Sequence, residues 1–363
     1  MLVVYNHAGL LVIESAPSLG LSRLVPSEAF ARFGSIGVDL FFVISGFVMA
    51  LSARQFDGQA DAARFLALRY ARIAPLFYLF CLLWLAQLFP AGLPISAGSV
   101  SNSLLFFPLV DQNEYSWPIH YLGWTLSFEF IFYLIVAGLI ASGRGRSATV
   151  LFLSLLALPF LGYPFSDGRV LWHMFTNPIL WEFAMGVGIF VLWQAQLLRG
   201  LRTAALACLL FSVLLLFGML LEGEAIFSAT DTVSGATSAA RALFWGVPMA
   251  LLVGLLLGFG PPATGWSTRS LRALGDASYS IYLSHLFVVR AAEEVVQRQW
   301  FAIGSGEGAD FILMMTVTGS AAIGWGVYRW VERPLLSWSR NRVNRLFLRH
   351  AAASRRGAAG REL

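Results

Sequence analysis

Ten apolar runs follow one another along this chain of 363 residues, most of them long enough to cross a lipid bilayer. They lie near residues 1–13, 35–53, 73–90, 122–141, 148–162, 176–194, 203–221, 242–259, 279–296 and 309–330. A helix needs about 20 apolar residues to span the hydrocarbon core. In lipid every backbone N–H and C=O must be satisfied within the segment, so such runs become helices. The chain therefore reads as all-α, a polytopic membrane protein with about ten transmembrane helices. Residues 1–333 form one membrane domain, and residues 334–363 form an Arg-rich tail. Composition agrees, because only 12% of residues are charged. A soluble domain carries about a quarter, and this chain could not cover a globular surface with polar groups.

The first run is short. Thirteen residues or so make roughly 20 Å of helix against a hydrocarbon core of about 30 Å. No basic segment of a signal peptide precedes it. The expectation is that upstream residues, about ten to fifteen of them with an Arg or Lys, complete this helix. The run near 148–162 is also short and contains Pro159 and Gly162, so it is expected to tilt or break.

Orientation follows from the basic residues, all 25 of which are Arg. Taking the connections alternately, one set holds Arg54, Arg64, Arg69 and Arg72, then Arg144 and Arg146, Arg199 and Arg202, Arg269 and Arg272, and the tail from Arg333 to Arg361. The other set holds Arg23, Arg32, Arg169, Arg241 and Arg298. The split is 18 against 5, which is expected to place the first set and both termini in the cytoplasm; the expected location is the cell (inner) membrane. The connection at 91–121 has no basic residue and carries Asp111 and Glu114. The scattered arginines have no aromatic stacking platform between them, which argues against a nucleic-acid partner. Cys81 and Cys208 lie in apolar runs, 127 residues apart, and form neither a disulfide framework nor a zinc spacing. The tail is expected to fray.

Ionisable groups inside such runs are costly, about 2.5–3.5 kcal/mol each on insertion scales, and mark sites or buried pairs. His7 lies about six residues from the outer end of the first run, and Asp39 about four residues into the second. At 1.5 Å per residue their depths differ by only about 3 Å. A neutral imidazole can take a proton from a hydroxyl while a carboxylate holds its tautomer; the alternative is an interhelical hydrogen bond for His7 and a cap for Asp39. Glu129 in WTLSFEFIFY and Glu182 in NPILWEF fall near the same depth, suggesting a polar chamber, with helix-packing hydrogen bonds as the alternative. Ser278, Tyr282 and His285 share one helix face and read as either a polar seam or a substrate contact. Arg69 and Arg72 are one turn apart in RYARIAP. Two guanidiniums there can clamp phosphate oxygens, or can simply anchor the cytoplasmic end.

Six segments together resemble the acyltransferase-3 integral membrane acyltransferases. These are LVVYNHAG, GVDLFFVISGFVM, RYARIAP, GWTLSFEFIFY, LGDASYSIYLSH and VERP, in the family order and over nearly the whole chain. FGSIGVDLFFVISGFVM, TNPILWEFAMGV and LGDASYSIYLSHLFVV are most similar to the exopolysaccharide acetyltransferase branch, which O-acetylates sugars of a lipid-linked repeat unit. The resemblance implies acyl-CoA as a co-substrate arriving from the cytoplasm, no other cofactor, and a saccharide acceptor that can be polyprenyl-linked. It points to His7 as the essential histidine and to Arg69 and Arg72 as donor-site residues. The chain departs from the family in lacking the basic residue usually found about ten positions before that histidine.

The expected mechanism has His7 deprotonating a sugar hydroxyl, Asp39 orienting His7, and Glu129 positioning the acceptor or carrying the proton onward. Glu182, Tyr282 and His285 line the acceptor chamber. No cluster shows metal-ligand spacing. The competing reading is a transporter or flippase for a lipid-linked saccharide, with the same groups as a proton relay. The sequence lacks the paired broken helices that usually accompany alternating access.

Overall fold

The computed structural model of the protein describes residues 1–15, 22–88, 94–107, 115–162, 170–199, 228–260, 265–298 and 306–359, with isolated positions between 206 and 213. These residues form helices and no strand. The principal ones are α1 (Leu2–Leu10), α2 (Ile36–Ala53), α3 (Gly58–Leu88), α4 (Gly123–Ala141) and α5 (Ala148–Gly162). They are followed by α6 (Leu180–Gln194), α7 (Val247–Phe259), α8 (Ser278–Gln297), α9 (Gly306–Val327) and α10 (Arg333–Ala359).

Six helical stretches among the described residues are long and apolar enough to cross a membrane: Glu28–Ala53, Gly58–Gln87, Gly123–Ala141, Trp172–Gln194, Ser238–Phe259 and Glu307–Leu348. Leu2–Glu14 and Ala148–Gly162 are shorter apolar helices. The expected run near 203–221 lies outside the described residues, apart from isolated positions. The run near 279–296 forms α8, whose last two turns carry Arg290, Glu293 and Glu294. Six crossing helices are thus supported, where about ten were expected.

Close helix contacts rest on glycine. A Cβ at Gly46 of α2 would come within 2.1 Å of the Phe183 carbonyl, and one at Gly186 of α6 within 2.0 Å of the Val43 carbonyl. Only small residues let backbones approach so closely. Phe42 packs on Phe183 at 4.7 Å and Phe47 on Phe190 at 5.8 Å between ring centroids. Helices α2 and α6 therefore run in parallel, and their first turns, with Asp39 and Glu182, share one end. Phe132 of α4 meets the same Phe183 at 4.5 Å, which makes an aromatic core of α2, α4 and α6. Large apolar side chains point outward elsewhere, among them Leu82, Phe160, Leu256 and Phe311. That inversion is what a lipid-facing girdle requires.

Two expectations about ends change. The run expected to begin at residue 73 is one continuous helix of 31 residues from Gly58, with Pro75 inside it. At about 46 Å it is half again as long as the hydrocarbon core. Proline lacks the N–H that would bond the carbonyl four residues back. Ser339 of α10 supplies the missing donor, its hydroxyl lying 3.1 Å from the Ala71 carbonyl. Tyr279 of α8 donates to the Ile73 carbonyl at 2.7 Å, tying α8 to the same stretch of α3. The tail, expected to fray, is the helix α10, a continuation of α9 through a π-helical turn at Tyr328–Glu332. It packs along α3 and is tied there by Arg64 to Asn344 at 3.2 Å. Arginine is a good helix former, and this docking gives the helix tertiary support.

Candidate active site

The first turns of α2 and α4 and one face of α1 enclose a cavity of about 250 Å³. Asn6, His7, Tyr121, Trp124, Arg241 and Tyr282 are among its walls. His7 makes no hydrogen bond to another described side chain, so its imidazole is available to a molecule in the cavity. Its nearest ring is that of His285, 5.1 Å away between centroids and tilted by 32°. His285 lies behind His7, fully buried, with Nδ1 2.7 Å from the Tyr282 carbonyl. The Tyr282 hydroxyl donates to the Leu122 carbonyl at 3.0 Å and sits 2.9 Å from the Thr125 hydroxyl, which fixes its ring in the wall. Aromatic walls with a few polar groups are typical of a small-molecule site.

Asp39, expected beside His7, is engaged elsewhere. Its carboxylate is taken by Arg241, with Nε donating to Oδ1 at 2.9 Å and Nη2 to Oδ2 at 2.8 Å. Both side chains are buried. Arg241 also donates to the Ser35 carbonyl at 3.2 Å and the Thr232 hydroxyl at 3.4 Å, and lies 4.9 Å from the Trp245 ring. A bidentate guanidinium–carboxylate pair of this kind fixes geometry as well as charge. His7 lies in the cavity wall and Asp39 does not, although their counts into the runs were similar. Glu182 is buried at the same end, beside the Asp39–Arg241 pair. Gly246, in the π-helical turn after Arg241, makes room for it: a Cβ there would come within 2.8 Å of the Glu182 Cγ.

Glu129 departs from the expected layer. It is not a wall of the cavity. Ser45 donates to it at 3.4 Å and Tyr133 donates to it one turn further along α4. Ser45 is six residues beyond Asp39 on α2, about 9 Å deeper. Thr125, Glu129 and Tyr133 recur every four residues and so line one face of α4 over about 12 Å. That stripe begins at the cavity wall, where Thr125 meets Tyr282, and ends at Arg69, which lies 6.0 Å from the Tyr133 ring.

The two arginines of α3 divide. Arg72 is ion-paired to the buried Glu332 and lies over Tyr279 at 5.6 Å. Ser280 donates to the other oxygen of Glu332 at 2.5 Å. Arg69 donates to Ser52 and packs over Phe65 at 5.3 Å; among the described residues no carboxylate lies within ion-pair distance of it. Sequence reasoning missed Arg241, Glu332, Tyr133 and His120. Arg241 was hidden because a loop arginine is the default reading of that position. Its one signal was an Asp39 that needed a cation near the same membrane end. Glu332 stood in the VERP segment without a role. Among the described residues no three His, Cys, Asp or Glu converge as a metal site would require.

A family profile described as an acyltransferase domain matches residues 1–331. The chain is 33% identical over 320 residues to the exopolysaccharide production protein ExoZ of Rhizobium meliloti (strain 1021), covering 85% of this chain and 92% of that one. It is 26% identical over 325 residues to the acyltransferase MdmB of Streptomyces mycarofaciens, covering 80% and 79%. No solved structure matches it.

Proposed function

We propose, on the premise that this chain belongs to the acyltransferase-3 family and is a membrane acyltransferase, that it moves an acetyl group from acetyl-CoA to a sugar hydroxyl. The acceptor is an exopolysaccharide or its lipid-linked repeat unit. The observation that carries this reading is His7, an unbonded imidazole in the wall of a cavity with three aromatic neighbours. The likeness to a protein named for exopolysaccharide production supports the acceptor class. On this reading the hydroxyl proton passes to His7 as the oxygen attacks the thioester carbonyl. The C–S bond breaks, and the proton ends on the departing thiolate, giving free coenzyme A. Trp124, Tyr121 and Tyr282 give the cavity aromatic surface against which a sugar can pack.

The Arg asymmetry supports an inner-membrane orientation with the Arg69 end toward the cytoplasm and the cavity toward the opposite side. The donor then arrives at Arg69, and its pantetheine arm lies along the Thr125–Glu129–Tyr133 stripe toward His7. The role expected of Glu129 becomes a polar contact along that arm. Incubation of the purified protein with radiolabelled acetyl-CoA and an extracted lipid-linked saccharide pool tests the reading. Label is expected on the saccharide as alkali-labile acetate. A saccharide fraction that stays unlabelled while the protein is folded overturns it.

The division between the arginines predicts unequal effects. Arg69→Lys loses the planar fork that grips a phosphate. It is expected to raise the donor KM roughly tenfold, the equivalent of about 1.4 kcal/mol. Arg72→Lys can keep its pairing with Glu332 and should leave the donor KM near wild type. A donor KM unchanged in Arg69→Lys returns that residue to simple anchoring.

A further inference from the structure

His7 needs a partner to hold its tautomer and share the charge it gains, and the carboxylate at matching depth is committed to Arg241. His285 fills the vacancy. Its Nδ1 faces the Tyr282 carbonyl at 2.7 Å, and a carbonyl only accepts, so Nδ1 carries the proton. In a neutral imidazole the other nitrogen is then a bare acceptor. That nitrogen, Nε2, is fully buried and has no hydrogen-bond partner among the described residues. Orphaned buried acceptors are costly and rare. The ring it belongs to is 5.1 Å from that of His7 between centroids. At this separation two rings that turn nitrogens toward one another come within the ~2.7–3.2 Å of a hydrogen bond.

We propose that His285 is the positioning residue of His7: its Nε2 accepts a hydrogen bond from the ring N–H of His7, holding the opposite nitrogen bare toward the cavity. The proton taken from the acceptor hydroxyl arrives on that bare nitrogen and leaves from it to the thiolate. The N–H facing His285 stays on His7 throughout, so the exchange balances without any other donor. Two neutral histidines thus do what a His–carboxylate pair does elsewhere, and no net charge enters the apolar interior before substrate arrives. Tyr282 joins both levels, since its carbonyl fixes His285 while its ring walls the cavity. His120 supports the same helix from the other side, with Nε2 2.9 Å from the Leu283 carbonyl.

This rests on His7 being the base, and the test separates the two ideas. Glutamine and methionine have nearly the same shape, but only glutamine offers an amide oxygen as an acceptor. His285→Met is expected to lower kcat roughly 10²-fold with both KM values unchanged. His285→Gln is expected to keep about tenfold more of the rate, because the hydrogen bond survives, yet to stay at least several-fold below wild type. A merely structural role would move thermal stability and KM and would not distinguish the two variants. Equal kcat in the Gln and Met variants overturns the proposal. If His285→Met fails to fold, His285→Gln alone decides, and a wild-type kcat there overturns it. His7→Ala is run beside them. If His7→Ala is inactive while His285→Gln and His285→Met match each other, His285 loses its role and His7 keeps its own. If His7→Ala remains active, the base assignment fails first.

Discussion

His7→Ala is expected to abolish acyl transfer while leaving expression, membrane insertion and monodispersity in detergent unchanged. The expectation rests on two facts of the site. His7 is in the cavity wall, and the one polar neighbour proposed for it is His285, so its removal leaves the hydrogen bonds that hold α1 in place. The turn around it is held by other groups, with Asn6 donating to the Ala31 carbonyl at 3.2 Å and Tyr5 to the Leu24 carbonyl at 2.8 Å. General base catalysis contributes about 10²–10⁴-fold, so the loss should appear in kcat and in kcat/KM together. Donor binding, governed at the far end by Arg69, should persist, and equilibrium binding of a non-transferable acyl-CoA analogue measures it. Activity within a few-fold of wild type would remove His7 from the mechanism. Loss of donor binding together with activity would point to collapse of α1.

How much of this was legible beforehand depends on which coordinate a sequence encodes. Hydropathy fixes where a chain enters and leaves lipid, so the bounds of α2 and α4 were readable to within a residue or two. Depth follows from counting residues into a span, and it correctly put Asp39 and Glu182 at one end. Angle around the bundle is not encoded in any one helix. It emerges from crossings such as Gly46 against Gly186, where two backbones touch because neither position carries a side chain. His7 and Asp39 therefore counted to similar depths and still meet different neighbours, 278 and 202 residues away in the chain. Glu129 shows the same limit. A count of about seven residues into its run, against about four for Asp39, put it near one layer, whereas Glu129 meets Ser45, well below Asp39.

The arginines of α3 show a different limit. Positive-inside statistics treat each one alike, and the sequence reading kept both anchoring and phosphate binding open for the pair. The structure separates them through Glu332, 260 residues further on. The π-helical turn at Tyr328–Glu332 ends on that carboxylate, and the one at Ala242–Gly246 begins just after Arg241. A wide turn re-aims the side chains beside it and often accompanies function. Its hydrophobic pattern differs from an ordinary helix by a single residue, too little to see in one sequence.

The second large effect is expected at the Asp39–Arg241 pair, and it should fall on folding before it falls on rate. Removing one partner of a buried ion pair leaves an uncompensated charge and costs about 3–5 kcal/mol. A domain whose whole stability is about 5–15 kcal/mol feels that directly. Arg241→Met should therefore yield little monodisperse protein and a sharply lowered thermal midpoint in detergent. The double variant Asp39→Asn with Arg241→Met removes both charges and keeps similar volumes, and it should recover most of the fold, because neutral replacement of both partners is often nearly free. Recovery depends on the pair being mutually dependent, and the geometry says it is: both oxygens of Asp39 are engaged by one guanidinium. The experiment also decides between two roles for Asp39. Were it the orienting partner of His7, Asp39→Asn alone would fold normally and lose kcat, and restoring charge balance at Arg241 would not matter. As a structural counterion it should show the opposite order, with stability lost in the single variants and regained in the double. A single Arg241→Met protein as stable as wild type, or a double variant no better than the single, would show that the pair does not hold α2 against the segment that begins α7.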